Sequence, residues 1–205
     1  MSDWSAALDA LRAGRVVAAP TESSYGLLAD VRQPRAIAEL LAIKARGSDK
    51  GQPLIAPSAS VWLDLIEPPP AQASRLAERF WPGPLTLVTR ARKTLDDRIT
   101  LDDCVAVRVP GSCPAAEIVT AYGAALTATS ANAPGAPPCT SAEEVARVFA
   151  AAVRADRLFV VPGTAPGGAP STLVKLAGGG WSVLREGAIP SAALQQVLNT
   201  EPIAP

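Results

Sequence analysis

Lys44, Arg46 and Lys50 place three cations within seven residues, followed by Gly51. A guanidinium can fork onto two phosphate oxygens and an ammonium acts as a compact point charge, so this spacing suits a triphosphate. A helix C-terminus would also favour these cations through its macrodipole, and the cluster alone does not decide between the two readings. The stretch Pro20-Thr21-Glu22-Ser23-Ser24-Tyr25-Gly26 offers hydroxyls and a carboxylate to a small polar ligand, or forms an ordinary Ser/Thr-rich turn. Ser130-Ala131-Asn132 can present hydroxyl, amide and backbone donors to phosphate, with a plain turn as the alternative. Pro170-Ser171-Thr172 and Arg185-Glu186-Gly187 form a fourth polar group, equally readable as turn chemistry plus a surface arginine.

What is missing narrows the chemistry. The 205 residues contain no histidine, which removes Ser-His and Cys-His nucleophilic systems and histidine metal sites. Cys104, Cys113 and Cys139 form no C-x-x-C pair, and an odd number does not suggest a disulfide framework; a reducing, cytoplasmic compartment is expected. There is no G-x-x-x-x-G-K-[ST] loop, no G-x-G-x-x-G after a strand, and no G-x-S-x-G elbow. Nineteen basic residues balance nineteen acidic ones, which argues against sequence-independent nucleic-acid binding by the whole surface but leaves room for a local basic pocket. Met1-Ser2-Asp3-Trp4 lacks an apolar leader and no run of about 18 apolar residues occurs, so neither a signal peptide nor a membrane span is expected.

These groups need elements to hold them. With 48% apolar and 19% charged residues, the chain has the composition of one folded domain. Trp4, Ala7, Leu8 and Leu11 recur at helical spacing, with Asp3 as N-cap, and Gly14 ends that helix. Val16 to Ala19 reads as a buried strand that stops at Pro20. Pro34 opens a helix with Ile37, Leu40, Leu41 and Ile43 on its core face and the cations at its end. Further helices are expected after Ser58, around Leu76 and Phe80, over Pro114 to Tyr122, from Ser141 to Phe149 with a capping box to Glu144, and from Ser191 to Val197. Strands are expected at Pro53–Ala56, Leu85–Val88, Val105–Val109, Leu126–Thr129, Leu158–Val161, Thr172–Leu176 and Ser182–Arg185. This interleaving predicts an α/β fold, a twisted mixed sheet flanked by helices, with the polar groups at strand ends.

In this order the motifs resemble the YrdC/TsaC family, whose members make threonylcarbamoyl-AMP for the N6-threonylcarbamoyladenosine modification of tRNA. The matching residues are Gly14-Arg15-Val16-Val17, Pro20-Thr21-Glu22 with Tyr25-Gly26, Lys44-Ala45-Arg46, Asp49-Lys50-Gly51, Trp81-Pro82-Gly83-Pro84-Leu85-Thr86, Val105-Ala106-Val107-Arg108, Thr129-Ser130-Ala131-Asn132, Pro170-Ser171-Thr172 and Leu184-Arg185-x-Gly187. The length is that of the short, single-domain form, so residues 1–205 are expected to make one YrdC-like domain with an open concave ligand cleft and a loose tail. The chain departs from the family where Gly111-Ser112-Cys113 replaces a stretch that often carries His, at Gly47 where Pro is common, and at Pro134-Gly135 in place of Ser-Gly.

The resemblance implies a reaction among L-threonine, bicarbonate and ATP with Mg2+, giving threonylcarbamoyl-AMP and pyrophosphate. It implies that Lys44, Arg46 and Lys50 hold the ATP phosphates, Arg46 and Lys50 as the catalytic pair, and that Ser130, Asn132 and Arg185 contact the nucleotide. Thr21, Arg108 and Ser171 would hold threonine, Arg108 taking its carboxylate bidentately. The metal would come with ATP rather than on protein ligands. Downstream tRNA threonylcarbamoyl-transfer proteins are the implied partners, with weak RNA binding in addition. The sequence leaves two rival readings open: an RNA-binding module of the same fold, and a paralogue acting on a different amino acid.

Overall fold

The structure, a computed structural model, describes residues 4–45, 51–177 and 180–199. The chain runs through α1 (Ser5–Arg12), β1 (Val16–Pro20), β2 (Tyr25–Leu28), α2 (Pro34–Lys44), β3 (Leu54–Ile55), α3 (Ala59–Leu65), α4 (Ala71–Phe80), β4 (Leu85–Arg90) and β5 (Cys104–Arg108). It continues through α5 (Pro114–Tyr122), β6 (Leu126–Thr127), β7 (Thr129–Ser130), α6 (Ala142–Val148), α7 (Ala150–Arg154), β8 (Leu158–Val160), β9 (Thr172–Ala177), β10 (Gly180–Arg185) and α8 (Ser191–Asn199). Asp3, expected as an N-cap, and the expected loose tail from residue 200 lie outside the described residues.

The mixed α/β expectation holds, and the strands divide between two sheets. One has the order β7-β2-β1-β8 and the other β10-β9-β4-β5-β3-β6. Both combine parallel and antiparallel neighbours: β1 is antiparallel to β2 and parallel to β8, while β4 is antiparallel to β5 and parallel to β9. The division explains the one strand expected at Leu126–Thr129. Leu54 and Ile55 pair with Thr127 and Leu126 in the larger sheet. Beyond Ala128, Thr129 and Ser130 pair with Leu27 and Gly26 in the smaller one. One short segment therefore belongs to both sheets and joins them.

β1 is buried along its whole length, which is why its sequence is a continuous apolar run rather than an alternation. Val16 and Ala18 face one core with Ile37 and Leu40 of α2; Val17 and Ala19 face a second with Leu11 of α1 and Ile118 and Val119 of α5. β2 and α7 were not expected. β2 is only four residues and follows a polar turn without a gap, and α7 is a five-residue helix directly after α6, too short for an apolar period to register. The caps expected at Ser58 and Ser141 form: the Ser58 hydroxyl accepts from Val61 N–H, and Ser141 and Glu144 close a reciprocal capping box.

Two features set the loops that carry polar groups. The Trp81–Gly83 turn packs Trp81 edge-on against Trp62, with centroids 5.1 Å apart, and the Trp81 indole N–H donates to the Leu85 carbonyl. A side chain at position 83 would meet the Phe80 carbonyl oxygen at 2.5 Å, so glycine is required there. At the start of β9, the fully buried Thr172 hydroxyl donates to the Ile189 carbonyl and accepts from Gly187 and Ile189 N–H. That one hydroxyl fastens the loop after β10 to the residue following Ser171.

Thr172→Val keeps the shape and removes the hydroxyl, leaving buried backbone donors without their acceptor. It is expected to lower the unfolding free energy by about 2–3 kcal/mol in urea titrations. A change within about 0.5 kcal/mol would show that the loop is fastened elsewhere.

Candidate functional site

One face of the larger sheet is open and floors a cleft of about 960 Å³ at the joint between the sheets. Strand alternation selects its floor: Thr86 and Val88 of β4, Ala106 and Arg108 of β5, and Leu173 and Lys175 of β9 face the cleft. Leu87, Val107 and Val174, between them, are buried in the core. On β10 the alternation breaks. Val183 pairs with Val174, but Arg185 pairs with Leu173, so Leu184 is an extra residue in the strand. This bulge lets both Leu184 and Arg185 line the cleft.

Arg108 ends β5 with its side chain 12% exposed and donates through Nη1 to Glu22 Oε1 at 2.7 Å. Glu22 Oε1 also accepts from Gly111 N–H at 2.8 Å, and Oε2 accepts from the Cys113 thiol at 3.6 Å. Burial and the Glu22 carboxylate push that thiol up to about 11, so it remains a donor. At the end of β10, Arg185 donates through Nε and Nη2 to the Ser171 carbonyl at 3.2 and 2.9 Å, and through Nη2 to the Ser171 hydroxyl at 3.3 Å. The Ser171 hydroxyl also shares a 2.7 Å hydrogen bond with the Thr86 hydroxyl. Burial and the neighbouring Arg108 guanidinium lower Arg185 from its ordinary value, so the two cations feel each other.

At the sheet joint, Ser130 lines the cleft and Asn132 shapes the loop behind it. Asn132 Oδ1 accepts from the Ser130 hydroxyl at 2.7 Å, while its amide donates to the Ala133 and Ala136 carbonyls. Lys44, the last residue of α2, is buried and spans to the same loop. Its Nζ donates to the Ser130 and Asn132 carbonyls and to Asn132 Oδ1, at 2.7, 3.0 and 2.9 Å. Lys44 thus braces the Ser130–Asn132 loop, and α2 ends beside it with Ala45 in the left-handed conformation. Arg46 and Lys50 lie outside the described residues; Gly51, where description resumes, lines the cleft.

Thr21 also lines the cleft, but its hydroxyl is committed within its own turn, donating to the Ser24 carbonyl at 2.7 Å. Tyr25 packs: it is fully buried and its hydroxyl reaches the Val161 and Gly163 carbonyls, with burial pushing it up to about 12. The structure therefore brings Thr21, Arg108, Ser130, Ser171 and Arg185 to one cleft, with Lys44 and Asn132 immediately behind Ser130. Sequence reasoning offers the Glu22 carboxylate to a small polar ligand, whereas the structure spends it on Arg108, and it gives no role to Thr86 or Gln52, which line the cleft. Glu22 and Thr86 fall inside the quoted motifs, which is a signal of place but not of partner. Two guanidiniums with hydroxyls between them suit a ligand carrying anionic groups at separate points.

The chain matches the family model described as "Telomere recombination", the Sua5/YciO/YrdC family, over residues 9–187. It is similar to the threonylcarbamoyl-AMP synthase of Halorhodospira halophila, 39% identical over 157 residues, 75% of this chain and 78% of the relative. A second relative of that name, from Thiobacillus denitrificans, is 38% identical over 171 residues, 82% of this chain and 88% of the relative. Among solved structures it superposes on P. abyssi Sua5 complexed with L-threonine with a TM-score of 0.86 and 33% identity, covering 95% of this chain and 56% of that longer one. The E. coli YciO structure shares the fold, with a TM-score of 0.74, 24% identity, and 89% and 88% coverage. With the motif order, the cleft and a family match that spans most of its length, the chain belongs to the Sua5/YciO/YrdC family.

Proposed function

We propose that this chain is a threonylcarbamoyl-AMP synthase, a nucleotidyltransferase that converts L-threonine, bicarbonate and ATP into threonylcarbamoyl-AMP and pyrophosphate for tRNA N6-threonylcarbamoyladenosine synthesis. The observation that carries this reading is the convergence of Arg108, Ser171, Arg185 and the Lys44-braced Ser130 loop on one cleft. The kinship with relatives bearing that name supports it. On this reading residues 1–205 act as one YrdC-like domain in the cytoplasm, passing the product to threonylcarbamoyl-transfer proteins.

The reaction needs placement and charge neutralisation more than a nucleophile of the enzyme. The threonine amine loses a proton and adds to CO2 drawn from bicarbonate, forming a carbamate. A carbamate oxygen attacks the α-phosphorus, and the bond to the β-phosphate oxygen breaks as pyrophosphate leaves. Arg108 takes the threonine carboxylate, with Thr21 shaping the pocket and Ser171 presenting its hydroxyl. Ser130, with Asn132 holding its loop, and Arg185 meet the nucleotide. Lys44 sets that loop, and Arg46 and Lys50 neutralise the leaving polyphosphate. Mg2+ arrives on ATP as part of the substrate and shares its charge.

Pyrophosphate release from ATP and bicarbonate, with each amino acid tested in turn, checks the assignment. Threonine-dependent release is expected, and release with a different amino acid would select a paralogous activity. Salt-resistant RNA affinity without turnover would instead favour a binding module.

Arg108→Ala is expected to raise the threonine KM roughly 30-fold or more while moving the ATP KM by no more than about twofold. An unchanged threonine KM would remove Arg108 from amino-acid binding. Lys50→Ala is expected to reduce threonine-dependent pyrophosphate release by about 100-fold or more. Near-wild-type release would reduce Lys50 to a surface charge.

A further inference from the structure

Arg108 has two jobs to reconcile. It must stay fixed at the end of β5, and it must keep donors for a ligand. Its hydrogen bond to Glu22 uses Nη1. A guanidinium held through Nη1 keeps its Nε–Nη2 edge, and that edge can fork onto a carboxylate. Glu22 is not among the residues lining the cleft, whereas Arg108 is, so the carboxylate grips the arginine from outside the binding space.

Glu22 is itself fixed. Gly111 N–H and the Cys113 thiol donate to its two oxygens, both from the loop between β5 and α5. Its own turn is closed by Thr21, whose backbone N–H and hydroxyl both donate to the Ser24 carbonyl. Glu22 therefore links the turn after β1 to the loop after β5, with Arg108 between them. It also places a negative charge against Arg108, the cation whose field reaches Arg185.

We propose that Glu22 is a positioning residue for amino-acid recognition: it aims the free edge of the Arg108 guanidinium into the cleft and offsets its charge, so that the substrate carboxylate meets a preset fork. This deepens the threonylcarbamoyl-AMP synthase reading and rests on it. Glu22 touches no reacting atom and acts through Arg108. A misaimed Arg108 weakens capture of the amino-acid carboxylate and leaves the nucleotide end of the cleft intact.

The test is steady-state pyrophosphate release by wild type, Glu22→Gln, Glu22→Ala, Arg108→Ala and the Glu22→Ala/Arg108→Ala pair. Glu22→Gln keeps an acceptor for Gly111 and for Arg108, and so provides a folded variant that lacks the charge. Glu22→Ala is expected to raise the threonine KM about tenfold with the ATP KM within about twofold, and Glu22→Gln to fall between it and wild type. In the Arg108→Ala background, Glu22→Ala is expected to lower threonine kcat/KM no further, because the residue it serves is gone. Threoninol, which lacks the carboxylate, gives an independent readout as a competitor: the wild-type preference for threonine over threoninol should shrink by the same factor in Glu22→Ala. With an active wild type, equal rises in both KM values, additive losses in the double variant, or an unchanged threoninol ratio would overturn this role alone. A wild type without threonine-dependent release would overturn the synthase reading and this inference with it.

Discussion

Two guanidinium groups have to share one cleft. Burial and the Arg108 guanidinium both disfavour the charge of Arg185, and each guanidinium has its own acceptors in the fold. Glu22 takes one cation from behind, and the Ser171 carbonyl and hydroxyl take the other from the side. Neither partner is an accident of packing. Glu22 depends on the Gly111 N–H and the Cys113 thiol, and Ser171 is held by Thr86 and by the fastening of Thr172 to the loop after β10. Burial and the Arg108 guanidinium still disfavour the Arg185 charge, so an anionic ligand that reaches it relieves that penalty while meeting donors the fold already holds in place.

The scaffold explains why such charges can be set accurately. Regular β alternation gives Arg108 its direction, and an irregularity gives Arg185 its own: a single extra residue at Leu184 turns the end of β10 so that the guanidinium reaches Ser171. The third contribution comes from the joint between the sheets, where β6 and β7 are consecutive yet pair in different sheets. Lys44 reaches that joint from the end of α2 and holds it through backbone carbonyls. A lysine used in this way is a strut as well as a charge, because three acceptors fix its ammonium.

Much of this was legible in the sequence, and what was not has physical reasons. Helices with an apolar period and a terminal signal were readable nearly to the residue, as in α5 with Pro114 at its start and Gly123 past its end. β1 was visible as an apolar run. The break at Ala128 was not, because two strands that run on from each other in different sheets leave the same pattern as one. The motif order placed Arg108, Ser171, Arg185 and Ser130 together. It did not reveal that Thr21 and Asn132 spend their polar atoms on local structure, or that Glu22 and Arg108 are a pair. Those facts depend on which way a side chain turns, and the partners lie 86 residues apart, beyond the reach of any local pattern.

That separation has a consequence for how the molecule comes into being. Glu22 to Arg108, Thr86 to Ser171 and Lys44 to Ser130 each span about 85 residues, and β4 must wait for β9 to be available before it has its parallel neighbour. Closing such long loops costs chain entropy that a contact between near neighbours does not, and a fold rich in them carries a high contact order. The helices and the β1–β2 hairpin can gather early from nearby residues, whereas the cleft has no local precursor. Binding competence therefore appears only once the last strands have docked, and a nascent chain that has not yet released β9 and β10 carries the motifs without the cleft that joins them.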